Sequence, residues 1–94
     1  MAAVVVDAVW VAAREIDRDS AVPPSRQVAG WLADDIRGGV YRPGQRLPSI
    51  TDLVQTYGIA RDTALKAQRI LIADGLAENS PGMGLFVVRK LPPA

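Results

Sequence analysis

Two short amphipathic stretches meet at a three-residue turn, Gly58-Ile59-Ala60, and no other feature limits so strongly what this chain can fold into. Before the turn, Ser49-Ile50-Thr51-Asp52 has the spacing of a capping box. In that arrangement a hydroxyl and a carboxylate three residues apart each satisfy the other's backbone N–H at a helix start. Leu53, Val54 and Tyr57 then point inward on a helix that stops at Gly58. After the turn, Ala60, Ala64, Ala67 and Leu71 recur at spacings of four, three and four, a narrow stripe that lets a helix pack close to its neighbour. Gly75 is its stop signal. Ile59 is placed to plug the junction beneath both helices. A glycine-containing turn of this length between two short helices is the signature of a helix-turn-helix.

An earlier helix and a later hairpin complete the plan. Pro23-Pro24 stops whatever precedes it, and Ser25 is placed to cap. Val28, Trp31, Leu32 and Ile36 then form one stripe, ended by Gly38-Gly39. Pro43-Gly44 has proline at the fixed-φ position of a turn and glycine where φ must be positive. Residues 76–79 and 85–89 read as two strands around residues 80–84, with Phe86 and Val88 on one face and Leu85 and Val87 on the other. Trp31 and Phe86 are expected in the core, and Trp10 in the core or an interface. The predicted fold is mainly α with a small β-hairpin: three helices plus a two-stranded wing, a winged helix-turn-helix over residues 23–90. Residues 1–22 are an N-terminal extension, and residues 91–94 a tail expected to fray or to begin a linker.

Composition narrows the function classes. The 94 residues include no cysteine and no histidine, which removes disulfides, thiolate metal sites and the commonest general base. Asp and Glu are scattered, so neither an enzyme nor a metal or other cofactor is expected. Asp34 and Asp35 sit at adjacent helical positions that do not converge, and read as a solvated face. The net charge is only +1 but unevenly placed, with two basic against four acidic residues in 1–25 and nine against six in 26–94. The basic excess thus lies with the patterned elements, where a phosphate-facing surface belongs. Residues 1–13 are apolar except for Asp7. That run is shorter than the ~20 residues of a membrane span, and no basic segment precedes it as in a signal peptide. It reads as a strand or short helix packed on the domain or on a partner chain, in a cytoplasmic protein with no membrane partner.

The predicted parts suit double-stranded DNA. A helix fits the major groove and reaches base edges first with its N-terminal turn. A glycine-rich hairpin tip can approach the minor groove because no Cβ stands in the way. Three stretches carry a family resemblance: "VPPSRQVAGWLADDIRGGVYRPGQRLPS", "YGIARDTALKA" and "LIADGLAENSPGMGLFVV". Over about residues 16–90 the chain resembles the GntR-type transcriptional regulators. Gly39, Pro43-Gly44 and Leu47-Pro48-Ser49 are similar to the family's G-x-x-x-P-G-x-x-L-P-S, and Gly75-Leu76 through Gly82-x-Gly84-x-Phe86-Val87 match its wing.

The resemblance implies a sequence-specific regulator, a repressor, with helix 61–74 in the major groove and the 80–84 wing in the minor groove. The family's recognition helix starts S-R-x-T-V-R-x-A, and this chain has A-R-D-T-A-L-K-A, so Arg61, Thr63 and Ala67 match. Ala60 replaces a small hydroxyl, Ile50 replaces a glutamate, and Leu65 and Thr51 stand where base-reading arginines are usual. Leu65 suits a thymine methyl, with Lys66 or Arg69 taking over the cationic role. Arg61, Thr63, Lys66, Arg69, Gly82, Ser49, Arg46 and Thr51 are the candidate DNA-binding residues, and Arg42 flanks the same turn as Arg46. One such domain reaches only a half-site, so a homodimer on an inverted repeat is expected, with residues 1–13 the candidate dimer contact. Family members usually carry a C-terminal effector-binding and dimerising domain. The competing reading is a winged-helix protein-interaction module that does not bind DNA, favoured by the arginines missing at positions 51 and 65.

Overall fold

The computed structural model describes residues 14–93, so the expectations for residues 1–13 lie outside the described residues. Three helices, α1 (Pro24–Arg37), α2 (Ile50–Tyr57) and α3 (Arg61–Ala73), precede an antiparallel hairpin of β1 (Ala77–Ser80) and β2 (Gly84–Val87). The hairpin pairs Ala77 with Val87 and Ser80 with Gly84, one residue or two away from the predicted strand ends.

Each helix starts and stops for a local reason. Helix α1 begins at Pro24, with Pro23 as the N-cap, so Ser25 lies inside the first turn and does not cap. Proline suits this place because its φ is already helical and its missing N–H would have had no partner. The Pro23 carbonyl instead accepts from the N–H groups of Arg26 and Gln27 at 2.9 and 3.1 Å. Helix α2 carries the predicted capping box: Ser49 Oγ accepts from the Asp52 N–H and Asp52 Oδ2 from the Ser49 N–H, both at 3.0 Å. Helix α3 begins after Ala60, which is the exposed N-cap and not part of the packing stripe. At its other end Gly75 adopts φ +76, and the N–H groups of Gly75 and Leu76 return to the carbonyls of Ile72 and Leu71. That bonding pattern is a Schellman stop, and it turns the chain directly into the wing.

The core lies where α1 and α3 cross. Val28, Leu32 and Ile36 of α1 meet Ala64, Ala67 and Leu71 of α3, all nearly inaccessible. Leu53 of α2, Ile59 of the turn, and Leu85 and Val87 of β2 close it. Of the two predicted core residues, Trp31 packs on the edge of the core and Phe86 sits outside it. Trp31 is half-buried against Tyr57, with ring centroids 5.4 Å apart. Phe86 occupies the outer face of the wing, because strand alternation gives the inner face to Leu85 and Val87. Residues 44–47 run beside β2: Gly44 donates to Val87, Val87 to Gln45, and Leu47 to Leu85. The wing is thereby held against the loop that leads into α2.

Asp35 departs most from expectation. It is buried, not solvated, and accepts two hydrogen bonds from Arg14, at 2.8 and 2.7 Å. Against the cost of burial, Asp35 and then Tyr57 at the end of α2 raise the Arg14 pKa, so the guanidinium sits where the N-terminal segment, α1 and α2 meet. Gln27 fastens the same segment, accepting from the Asp17 N–H and donating to the carbonyls of Asp17 and Val22. The tail does not fray at its start either: Leu91 packs against the core and Pro92 lies beside Gly75. Among the described residues no helix is long and apolar enough to cross a membrane.

Candidate nucleic-acid interface

A cleft opens between the start of α3, the start of α2 and the wing. Arg46, Ser49, Thr51 and Arg61, four of the predicted site residues, line it. They arrive from three local causes. Arg46 comes from the extended segment beside β2, Ser49 and Thr51 from the capped start of α2, and Arg61 from the first residue of α3. Ser49 accepts a hydrogen bond from the Asp52 N–H of its own helix, which fixes its hydroxyl at the capped helix start bordering the cleft. Both arginines are exposed, and neither is in a salt bridge among the described residues. The Asp52 carboxyl is held below its usual range, first by the Ser49 backbone N–H and then by the Ser49 hydroxyl, with the Arg46 charge adding to the effect.

The other predicted residues are placed differently. Thr63 is half-buried on the flank of α3 away from the cleft, and Arg69 is exposed. Lys66 is also exposed and sits 3.8 Å from Asp62, an i,i+4 pair that half-neutralises the outer face of α3. Gly82 is at the wing tip with φ +77 and open space around it. The tip is a tight turn closed by Met83 donating to Ser80 at 2.9 Å, and the Met83 side chain is exposed. Arg42 is exposed outside the cleft.

Sequence reasoning missed two polar residues that line the cleft, Gln68 and Asn79. Gln68 stands seven residues after Arg61, two helical turns along the same side, so its spacing was a usable signal. Its amide donates to the Pro48 carbonyl at 3.3 Å, tying α3 to the loop before α2. Asn79 had no such signal, since the wing's placement against α3 brings it there.

Two helices joined by a three-residue turn, braced by a first helix and followed by a hairpin, define a winged helix-turn-helix domain. The family model for "Bacterial regulatory proteins, gntR family" matches residues 24–87. The chain belongs to that family. It is 40% identical over 70 residues to an uncharacterised HTH-type transcriptional regulator of Streptomyces coelicolor, covering 74% of this chain and 26% of the relative. It is 43% identical over 56 residues to a probable fructoselysine utilization operon transcriptional repressor of Escherichia coli, covering 60% of this chain and 23% of the relative. The chain therefore spans about a quarter of the length of these curated relatives. Among solved structures it is similar to the AraR DNA-binding domain in complex with operator ORX1. The TM-score there is 0.71 and the identity 31%, over 78% of this chain and 90% of that one.

Proposed function

We propose that this chain is the DNA-binding part of a sequence-specific transcriptional regulator acting as a repressor, with double-stranded DNA as its partner. The observation that carries the reading is the cleft itself. Two exposed arginines in no salt bridge among the described residues, Arg46 and Arg61, converge with Ser49 and Thr51 between a helix start and a hairpin. That is the chemistry of phosphate and base-edge recognition. The operator complex of the similar AraR domain and the repressor named among the relatives support the same reading.

In this reading α3 enters the major groove N-terminus first, with Arg61 and Thr63 at its leading turn. Gly82 and the wing tip approach the adjacent minor groove. Arg46, Ser49 and Thr51 hold the backbone, and Lys66 and Arg69 add cationic contacts along the outer face of α3. A single domain covers a half-site, so the regulator works as a homodimer on an inverted repeat, in the cytoplasm. The relatives being regulators supports a role without catalysis.

Fluorescence anisotropy with a random duplex pool at two salt concentrations, followed by selection of the tightest sequences, tests the proposal. Salt-sensitive binding that enriches an inverted repeat is expected, and Arg61→Ala is expected to lose roughly 5- to 150-fold in affinity with relaxed sequence preference. Binding absent at low salt, even after fusion to a dimerising tag, would refute it in favour of a protein-recognition role.

A further inference from the structure

Arg46 joins the wing to the helix-turn-helix across a glycine. Its backbone forms an antiparallel bridge with Phe86, which carries the side chain over the start of β2. There the guanidinium rests on Gly84: a Cβ at that position would stand 3.2 Å from Nε, 3.5 Å from Nη2 and 3.7 Å from Cζ. Gly84 also has φ +116, a backbone conformation that L side chains rarely adopt. A side chain at position 84 would thus strain the wing and crowd the Arg46 guanidinium, which would have to give by a few tenths of an ångström. Towards α2, Arg46 lines a second hollow with Ser49 and Asp52. Towards α3, it shares the cleft with Arg61, Gln68 and Asn79. The Asp52 carboxylate is committed to the Ser49 N–H at 3.0 Å and forms no salt bridge with Arg46.

We propose that Arg46 is a sequence-independent phosphate clamp at the saddle between the two reading elements, and that Gly84 is the residue that positions it. The inference rests on the DNA-binding reading above and follows from the shape of the duplex. A helix in the major groove and a hairpin in the next minor groove straddle the sugar–phosphate strand that separates those grooves. That strand passes over the cleft between α3 and the wing, where Arg46 is held. A guanidinium there meets phosphate oxygens instead of base edges, and its fork of N–H groups grips two of them at once.

The test compares the full chain with Arg46→Ala, Gly84→Ala and the double variant, on a selected operator duplex and an unrelated duplex, over a range of salt. Arg46→Ala is expected to weaken both complexes by the same factor, roughly 10-fold, and to lower the log–log salt slope by about 1. Gly84→Ala is expected to reproduce both effects, and the double variant to bind no more weakly than Arg46→Ala. A change of operator preference with an unaltered slope would overturn the clamp, and additive losses would overturn the role of Gly84. Thermal unfolding reads the strain of Gly84→Ala separately, and if that variant does not fold the Arg46→Ala slope alone decides the clamp. If the unsubstituted chain binds no duplex at any salt, the DNA-binding reading itself fails and this proposal with it.

Discussion

Replacing Asp35 by asparagine should unfold this domain at a much lower temperature, although residue 35 lies outside the proposed DNA contacts. Asp35 is 5% exposed and Arg14 9%, and two short hydrogen bonds join them. Asparagine keeps the shape and removes the charge, leaving a guanidinium buried beside a neutral amide that competes to donate. Removing one partner of such a buried pair costs about 3–5 kcal/mol. A domain of this length has only roughly 5–14 kcal/mol in total. At about 4–8 °C of melting temperature per kcal/mol, the drop is at least about 12 °C. Thermal and urea unfolding followed by far-ultraviolet circular dichroism would measure it. Because the penalty comes from losing the carboxylate that faces the buried guanidinium, Arg14→Met combined with Asp35→Leu should recover most of the loss. A single variant within about 1 kcal/mol of the parent, or a double variant as unstable as the single one, would refute the reasoning.

Three further outcomes are expected. Ser49→Ala removes the cap of α2 and should cost about 1 kcal/mol in urea unfolding. Asp52 should then titrate nearer the usual carboxylate value of about 4, as read by NMR. In the parent chain the folded-state carboxyl of Asp52 is depressed, so its stabilising contribution is complete above the unfolded value near 4 and fades as pH falls through the lower folded value. Ser49→Ala should lack only the share of that acid-induced loss that the hydroxyl supplies, because the backbone N–H of residue 49, the larger cause, remains. Gly58→Ala forces an alanine to φ +63 at the end of α2 and should cost about 1–2 kcal/mol, with the denaturant slope unchanged. Lys66→Ala breaks only the exposed pair with Asp62 and should alter stability by less than about 0.5 kcal/mol, so a loss above 1 kcal/mol would show that the pair is structural.

The helices, their turn and the wing were legible because each is written in local chemistry. A hydroxyl and a carboxylate three residues apart start α2, a glycine follows α3, and proline-glycine pairs make the turns. Those signals act over a few residues and depend little on what packs nearby. The candidate site was legible in part for the same reason: Arg61 and Thr51 fall at helix starts, and Arg46 in a recognisable turn segment. Lys66 and Arg69 share an exposed helix face, yet periodicity alone could not say that this face lies away from the cleft.

What the sequence determined by itself was therefore the list of elements, their order and the inward stripe of each. Only the tertiary structure decided which neighbours those elements acquire. It buried Asp35 by bringing Arg14 to it across 21 residues of chain, turned Phe86 outward by docking the wing on Leu85 and Val87, and carried Asn79 and Gln68 into one cleft. Helix starts and turns are settled by interactions three or four residues long, which a linear pattern records. Burial of a charge and convergence of side chains depend on contacts between distant segments, and these exist only once α1, α3 and the wing have packed together.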